Sequence, residues 1–455
     1  MGYDLIIIGG GPGGYGAALC AAKRGMRVAL VEKDRLGGTC LQRGCVPTKA
    51  YLHDVQRAHE ALAFAPEAVS AFDRRAMWQR KNEVVDQLTA GLHQLMKAGK
   101  IDVFSGTGTV LSAAAPFAVQ VAGEGAPQAL SAGRVLLATG SKPARLPLPG
   151  CDDPAVWTSD DLLGEAGAEA FASLAIVGGG VIGVEMAFLY ARLGVRVTVV
   201  EAEKSCLPMM DRELGRSAEA LLKSMGAALL TDAKLQGIAK RDGGFALEVE
   251  KNGLQSIACD RVLLATGRRP MTEGLFAPGL EPERNKSALK VNEHFETSLP
   301  GVYAIGDVNG IFPLAHAAHA QGLAAVSHML GLKPPVSTDW VPNCVYTTPE
   351  IASVGLTQEE AKERGLEVVV GKALTTQNAR SLIEGLGRGF IKLVAEKQTQ
   401  RLVGAQLFCG RATDLLGELT LAMERGLTLE DLLRPMRGHP TFYEAVTDAA
   451  EAALK

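Results

Sequence analysis

One device occurs twice in this chain of 455 residues. YDLIIIGGGPGGYGAALCAAKRGMRVALVEKD, from Tyr3 to Asp34, reads as an apolar strand, a glycine turn, an alanine-rich helix and a second strand ending at Glu32. SLAIVGGGVIGVEMAFLYARLGVRVTVVEAEK, from Ser173 to Lys204, reads the same way and closes its second strand at Glu201. Gly9, Gly11 and Gly14 in one, and Gly178, Gly180 and Gly183 in the other, have the GxGxxG spacing. It supplies a tight turn, close backbone approach to a pyrophosphate and close packing of a helix whose N-terminus favours negative charge. Each acid lies 18 residues after the last glycine, placed to accept hydrogen bonds from a ribose. The heptapeptide RVLLATG also appears twice, at Arg134–Gly140 and Arg261–Gly267. Two dinucleotide-binding units in an α/β fold are therefore expected.

The second acid also sorts the ligand. A carboxylate at that place bonds a free ribose 2′-hydroxyl and repels a 2′-phosphate, whereas an NADP site usually carries a nearby arginine. Glu201 is followed by Ala202, Glu203 and Lys204, so the second unit reads as an NAD site.

At about 150 residues per domain, the length suggests roughly three domains. With 47% hydrophobic and 21% charged residues the chain can bury large cores. Glycines and charges interrupt every apolar run before the roughly 18 to 20 residues of a membrane span, so no membrane association is expected. A net charge of −3 gives no basic field for nucleic acid. Met1 leads straight into Tyr3–Ile8 with no export-type segment, and a cytoplasmic location is expected.

GGTCLQRGCVPTK, from Gly37 to Lys49, sets Cys40 and Cys45 five residues apart. The other six cysteines are scattered singly, which offers no zinc-ligand group, and no metal is expected. On a regular helix, residues five apart are separated by about 7.5 Å of rise, beyond the roughly 7 Å limit between Cα atoms of a disulfide. A bridge requires a distorted backbone, for which Gly44 supplies freedom and Pro47 removes a donor. Two unpaired thiols are one reading; the framing glycines and proline favour a redox-active disulfide.

Elsewhere, Val84, Val85, Leu88, Leu92, Leu95 and Met96 fall at helical spacing within Trp78–Lys100, predicting a packed amphipathic helix. After Pro313 the pattern changes to short strands, IASVGL, FIKLVAE and LVGAQLF, then helices over about 413–426 and from Thr441 onward. This predicts a separate α+β domain.

The glycine turns, GGTCLQRGCVPTK, GGGVIGVE, RVLLATGRRP, AIGDV, PLAHAA and HPTFYE together resemble the pyridine nucleotide-disulfide oxidoreductases, most closely their dihydrolipoamide-oxidising branch. The resemblance runs from end to end. It implies an FAD-binding domain from 1–145 and 271–335, an NAD-binding domain over 146–270, and a C-terminal dimerisation domain over 336–455. FAD contacts would fall on Gly9, Gly11, Gly14, Glu32, Gly38, Thr39, Lys49, Gly108, Asp307 and Ala315, with Thr139 and Gly140 also in the cofactor set. NAD contacts would fall on Gly178, Gly180, Gly183, Glu185, Glu201 and Gly267. By the same resemblance Cys45 is the flavin-side thiolate and Cys40 the thiol that exchanges with substrate. Lys49 and Glu185 would pair near the flavin. His439 would be the base and Glu444 its orienting partner, with His439 reaching the partner subunit of a homodimer. The implied activity oxidises dihydrolipoyl groups on a carrier protein and reduces NAD.

Three of these assignments have plainer readings. Lys49 and Glu185 could be separate surface charges, Asp307 could be a turn residue in GDV, and Thr441-x-x-Glu444 is also a capping box for the final helix. Gln42, Arg43, Met271, Arg437 and Gly438 depart from the family pattern and bear on substrate choice. A glutathione-type disulfide reductase running from NADPH, and a flavoprotein that only senses nucleotide, are the competing functions; Glu201 speaks against the first.

Overall fold

The computed structural model describes residues 2–64 and 73–455. The first unit begins with β1 (Tyr3–Ile8), α1 (Pro12–Lys23) and β2 (Val28–Glu32), followed by α2 (Gly38–Arg43), α3 (Cys45–Phe64) and α4 (Arg74–Ala98). β1 is interior from Leu5 onward, where Leu5, Ile6 and Ile7 have no exposed surface, the pattern of a strand covered on both faces. It pairs in parallel with β2 on one side and with Gln128–Leu137 on the other.

The repeated heptapeptide is explained by register. In the first unit Leu5 faces Arg134 and Ile8 faces Leu137; in the second Leu174 faces Arg261 and Val177 faces Leu264. Each RVLL is thus the parallel strand beside the opening strand of its unit. The second unit's sheet runs Ala228–Leu230, Arg196–Val200, Ser173–Val177, Arg261–Leu264, all parallel. Before the last of these comes a three-stranded antiparallel sheet over Lys234–Arg241, Gly244–Glu250 and Leu254–Cys259. The chain then returns to the first unit, where Val302–Ala304 pairs in parallel with Val135–Leu137.

The last domain is a five-stranded antiparallel sheet in the order Asn343–Val345, Glu350–Gly355, Leu402–Cys409, Phe390–Glu396, Val368–Leu374. The helices Ala412–Glu424 and Glu444–Leu454 share its core. Gly371 lets the final helix lie on the edge strand, since a Cβ there would stand 1.9 Å from the Ala449 carbonyl oxygen.

One expectation needs correction. α4 buries Val85, Thr89, Leu92 and Met96, one stripe at 3.6-residue spacing, together with Lys81, but it leaves Leu88 and Leu95 about half exposed. Those leucines lie about 70° and about 90° round the helix from the centre of the stripe, toward its exposed side.

Candidate functional site

Each glycine turn is locked by backbone rather than by side chains. A Cβ on Gly9 (φ 109°) would meet the Ala138 carbonyl oxygen at 2.3 Å, and one on Gly14 would meet the Gly9 oxygen at 1.8 Å. The second unit repeats this, with Gly178 (φ 107°) against Ala265 at 2.4 Å and Gly183 against Gly178 at 1.9 Å. The middle glycines differ. Around Gly180 nothing lies within 4 Å of the added carbon, and at Gly11 the nearest atom is Gly38 Cα at 3.9 Å. Any side chain there would project into open space at the start of α1 or of Val181–Arg192, where a pyrophosphate would sit. The residues therefore fit two dinucleotides.

The paired acids are held alike. Glu32 accepts the N–H of Gly10 and of Asp34 at 2.6 and 2.8 Å; Glu201 accepts those of Gly179 and Glu203 at 2.5 and 2.7 Å. Both carboxylates are oriented by main chain, which leaves their remaining lone pairs for a ligand.

The backbone between Cys40 and Cys45 does not continue one helix. Cys40 lies in α2 and Cys45 opens α3, with Gly44 between them at φ −142°, ψ −106°. A Cβ on Gly44 would crowd the Thr39 oxygen at 2.9 Å. The Gly44 carbonyl starts α3 by accepting both the N–H and the hydroxyl of Thr48. Pro47 then sits in the first turn, where its missing donor costs nothing. Both cysteines are free thiols, the reduced form of the pair. Their side chains share a hydrogen bond that polarises them: it drives the Cys40 thiol well above its ordinary value and helps lower Cys45 to about 7. Lys49 adds to the lowering at Cys45, while burial and Glu185 oppose it. Cys45 is also the first residue of a helix, where free N–H groups favour a thiolate.

Lys49 and Glu185 are not separate surface charges. The Lys49 ammonium lies 2.9 Å from both oxygens of Glu185, a buried carboxylate that also accepts the Tyr346 N–H. Asp307, in the turn Gly306–Asn309, accepts the Ser141 hydroxyl and lies 3.8 Å from Arg268. Thr139 binds the Met271 carbonyl through its hydroxyl, and the Arg268 guanidinium approaches Thr39 at 3.5 Å. Gly108 packs against Ile8, and Ala315 opens the helix Ala315–Met329. Gly140 (φ 71°) and Gly267 (φ 99°) both take the left-handed conformation. His316 reaches the Pro342 carbonyl and His319 packs on Gly16.

His439 stands apart. Its side chain is 72% exposed, and among the described residues its one polar partner is Glu444, Nδ1 to Oε1 at 2.8 Å. Glu444 Oε2 accepts the Thr441 N–H, and this bond, then His439, holds its carboxyl below the usual range. Thr441-x-x-Glu444 is not a capping box, because the last helix starts at Glu444 itself with Tyr443 as its N-cap, and the Thr441 hydroxyl donates to the Gly438 carbonyl.

The departures from the family pattern have structural partners. Gln42 donates to the Leu36 carbonyl and to Thr89, tying α2 to α4, and Arg43 pairs with Asp34. Arg437 binds Glu418 at 2.6 Å and stacks on Tyr443 at 4.1 Å, ahead of Gly438 and the histidine.

Ser141, Arg268 and Tyr346 escaped the sequence reading. The first two had a signal: each directly follows an ATG of the repeated heptapeptide, and the structure pairs Ser141–Pro143 with Arg268–Pro270. Arg268 Nε donates to the Ser141 hydroxyl at 2.7 Å. Tyr346 had none, because its partners come from distant parts of the chain.

Residues 3–322 match the pyridine nucleotide-disulphide oxidoreductase family, and residues 341–450 match that family's dimerisation domain. The chain is 38% identical to a dihydrolipoyl dehydrogenase of Bacillus subtilis, over 99% of this chain and 98% of the relative. It is 39% identical to the dihydrolipoyl dehydrogenase of Thermus scotoductus, over 100% and 98% respectively. Among solved structures, LpdA of Mycobacterium tuberculosis superposes with a TM-score of 0.90 at 27% identity, covering 98% of this chain and 99% of that one. The HOCl-induced flavoprotein disulfide reductase RclA of Escherichia coli superposes with a TM-score of 0.87 at 29% identity, covering 99% of both chains. With a doubled nucleotide fold, a polarised cysteine pair across a helix break and matches along almost its whole length, this chain belongs to the pyridine nucleotide-disulphide oxidoreductase family.

Proposed function

We propose that the chain is a dihydrolipoyl dehydrogenase, a homodimer that oxidises dihydrolipoyl groups on a carrier protein and reduces NAD. The observation that carries this is the polarised pair Cys40 and Cys45 beside Lys49 and Glu185, in a chain 38% to 39% identical to dihydrolipoyl dehydrogenases. FAD would be held by the first unit and NAD by the second, and together they would carry the electron pair from the dithiol away as hydride.

The chain's own residues perform the thiol chemistry. Starting from the Cys40–Cys45 disulfide, one substrate thiolate attacks the Cys40 sulfur, forms a mixed disulfide and expels Cys45 as thiolate. The second substrate thiolate attacks the substrate sulfur of that mixed disulfide, closes the lipoyl ring and releases Cys40. The dithiol has lost two electrons and two protons. A leaving group whose thiol titrates near 7 departs readily at neutral pH, which suits Cys45 to its place.

His439 would take a substrate proton on Nε2 while Glu444 holds Nδ1. Its exposure within one chain supports its delivery to the partner subunit's cysteines, and the matched dimerisation domain supports the homodimer. The domain limits 1–145 with 271–335, 146–270 and 336–455 are part of the same proposal, supported by the return of Val302–Ala304 to the first sheet. So is a cytoplasmic location, where such thiols stay reduced; no helix among the described residues is long and apolar enough to cross a membrane. Steady-state assays with NAD and NADP against dihydrolipoamide and glutathione test the proposal. Turnover confined to NAD with dihydrolipoamide supports it, and NADPH-driven glutathione reduction refutes it.

A further inference from the structure

We propose that Tyr346 is a positioning residue that confines the Lys49 ammonium between its ring and the Glu185 carboxylate, and so keeps that cation beside Cys45. Two contacts carry the inference. The Lys49 ammonium lies 4.4 Å from the centre of the Tyr346 ring. The Tyr346 N–H donates to Glu185 Oε1 at 2.9 Å, the oxygen that also binds Lys49. One residue therefore touches the cation and orients the anion.

Helix geometry supplies the link to the reactive sulfur. Cys45 and Lys49 are four apart on α3 and share a face, so the ammonium can lie along the thiolate's side of the helix. A lysine side chain left alone would explore solvent, and Lys49 is about one-third exposed. An aromatic face on one side and a carboxylate on the other remove that freedom. Glu185 by itself is ambivalent, since it fixes the lysine but opposes the thiolate. The ring attracts the cation without adding a negative charge that would cancel its field.

The groups facing Cys45 come from four helices and one loop: Tyr15 of α1, Cys40 of α2, Lys49 of α3, Glu185 of Val181–Arg192, and Tyr346 just after the strand Asn343–Val345. Burial and the nearby negative groups push the Tyr15 and Tyr346 phenols upward, so both are neutral while Cys45 titrates. Lys49 is the one cation of the set, and its placement decides how much positive field reaches the sulfur.

The inference rests on the proposed role of Cys45, and its test does not require lipoyl turnover. The reduced holoenzyme is alkylated with iodoacetamide from pH 5 to pH 9, and the modified Cys45 peptide is followed by mass spectrometry. Tyr346→Leu should move the midpoint of Cys45 alkylation upward by roughly half a unit to one unit, the size expected when a cation of this kind is released. Tyr346→Phe keeps the ring and should titrate as the parent does. An unshifted Tyr346→Leu midpoint overturns the inference. So does an equal shift in Tyr346→Phe, which would assign the effect to the phenol. If Tyr346→Leu fails to fold, Lys49→Met read against Tyr346→Phe decides: a midpoint unmoved by loss of the ammonium overturns the inference. Failure of the functional proposal looks different, as normal alkylation profiles in a protein that does not turn over dihydrolipoamide.

Discussion

Glu201 accepts two main-chain hydrogen bonds, from Gly179 and Glu203, with the geometry that Glu32 has with Gly10 and Asp34. Glu201 is buried and cannot swing aside for a second phosphate. A 2′-phosphate would meet a fixed like charge, a juxtaposition that costs several kcal/mol. NAD should therefore be preferred over NADP by at least about a hundredfold in kcat/KM, since each 1.4 kcal/mol is worth about tenfold. Glu201→Ala with an added arginine nearby should bring the two within about tenfold. Steady-state kinetics with both nucleotides provide the check, and equal use by the parent protein would remove the assignment.

Cys45→Ser should retain bound FAD and lose dihydrolipoamide turnover, because the hydroxyl is a poor leaving group and cannot close the disulfide. NADH-driven reduction of an artificial acceptor should continue, since that route bypasses the thiols. In the parent, thiol reactivity should rise with pH through about 7, the lowered value of Cys45, and be lost as pH falls below it. Full lipoamide activity in Cys45→Ser would end the relay as described.

His439 offers a complementation experiment. In heterodimers of a Cys45→Ser chain with a His439→Gln chain, one site should carry both lesions and the other neither. Activity should return to about half the parental level per dimer, on the independence of the two sites, although both parent homodimers are nearly inactive. Purified heterodimers as inactive as the parents would place the site within one chain or relieve His439 of its role.

Lys392 and Asp211 form a buried pair between the last domain and the cap of Arg212–Ser224, 2.6 Å apart with almost no exposed side-chain surface. Lys392 also reaches Glu213 at 3.3 Å. Lys392→Met should cost about 3 kcal/mol, because it strands a buried carboxylate rather than merely losing a contact. Chemical denaturation measures the loss. Adding Asp211→Asn should recover part of it, and an additive double variant would argue against direct coupling.

Sequence periodicity reached the parallel sheets because both nucleotide units carry apolar strands and fixed glycine spacing, and the repeated RVLLATG marked corresponding strands. It also reached the break at Gly44, which helix rise demands of any five-residue cysteine spacing meant to close. The site was less legible where residues meet only through tertiary packing. Tyr346 looks like an ordinary strand-end aromatic until Lys49 and Glu185 converge on it. Glu444 showed two readings in sequence; it is the first residue of the last helix and so not the N3 acid of a capping box, and its two oxygens hold the Thr441 N–H and His439. The sheet over 234–259 went unread because its strands give no motif and two of them have at least half their residues exposed.

The pairing of Val302–Ala304 with Val135–Leu137 has a consequence for how the polypeptide is made. Domains tend to fold as they emerge from the ribosome, at about 5–20 residues per second. The first sheet cannot finish on that schedule, because the strand that covers Val135–Leu137 is synthesised only after the whole second nucleotide unit. For an interval on the order of ten seconds or more, a fully apolar strand edge stands open beside a growing neighbour. Such an edge is a template for pairing with other nascent chains. Slowing translation between the two units should therefore raise aggregation during synthesis, while refolding of the finished chain, in which Val302–Ala304 is present from the start, should not share that sensitivity.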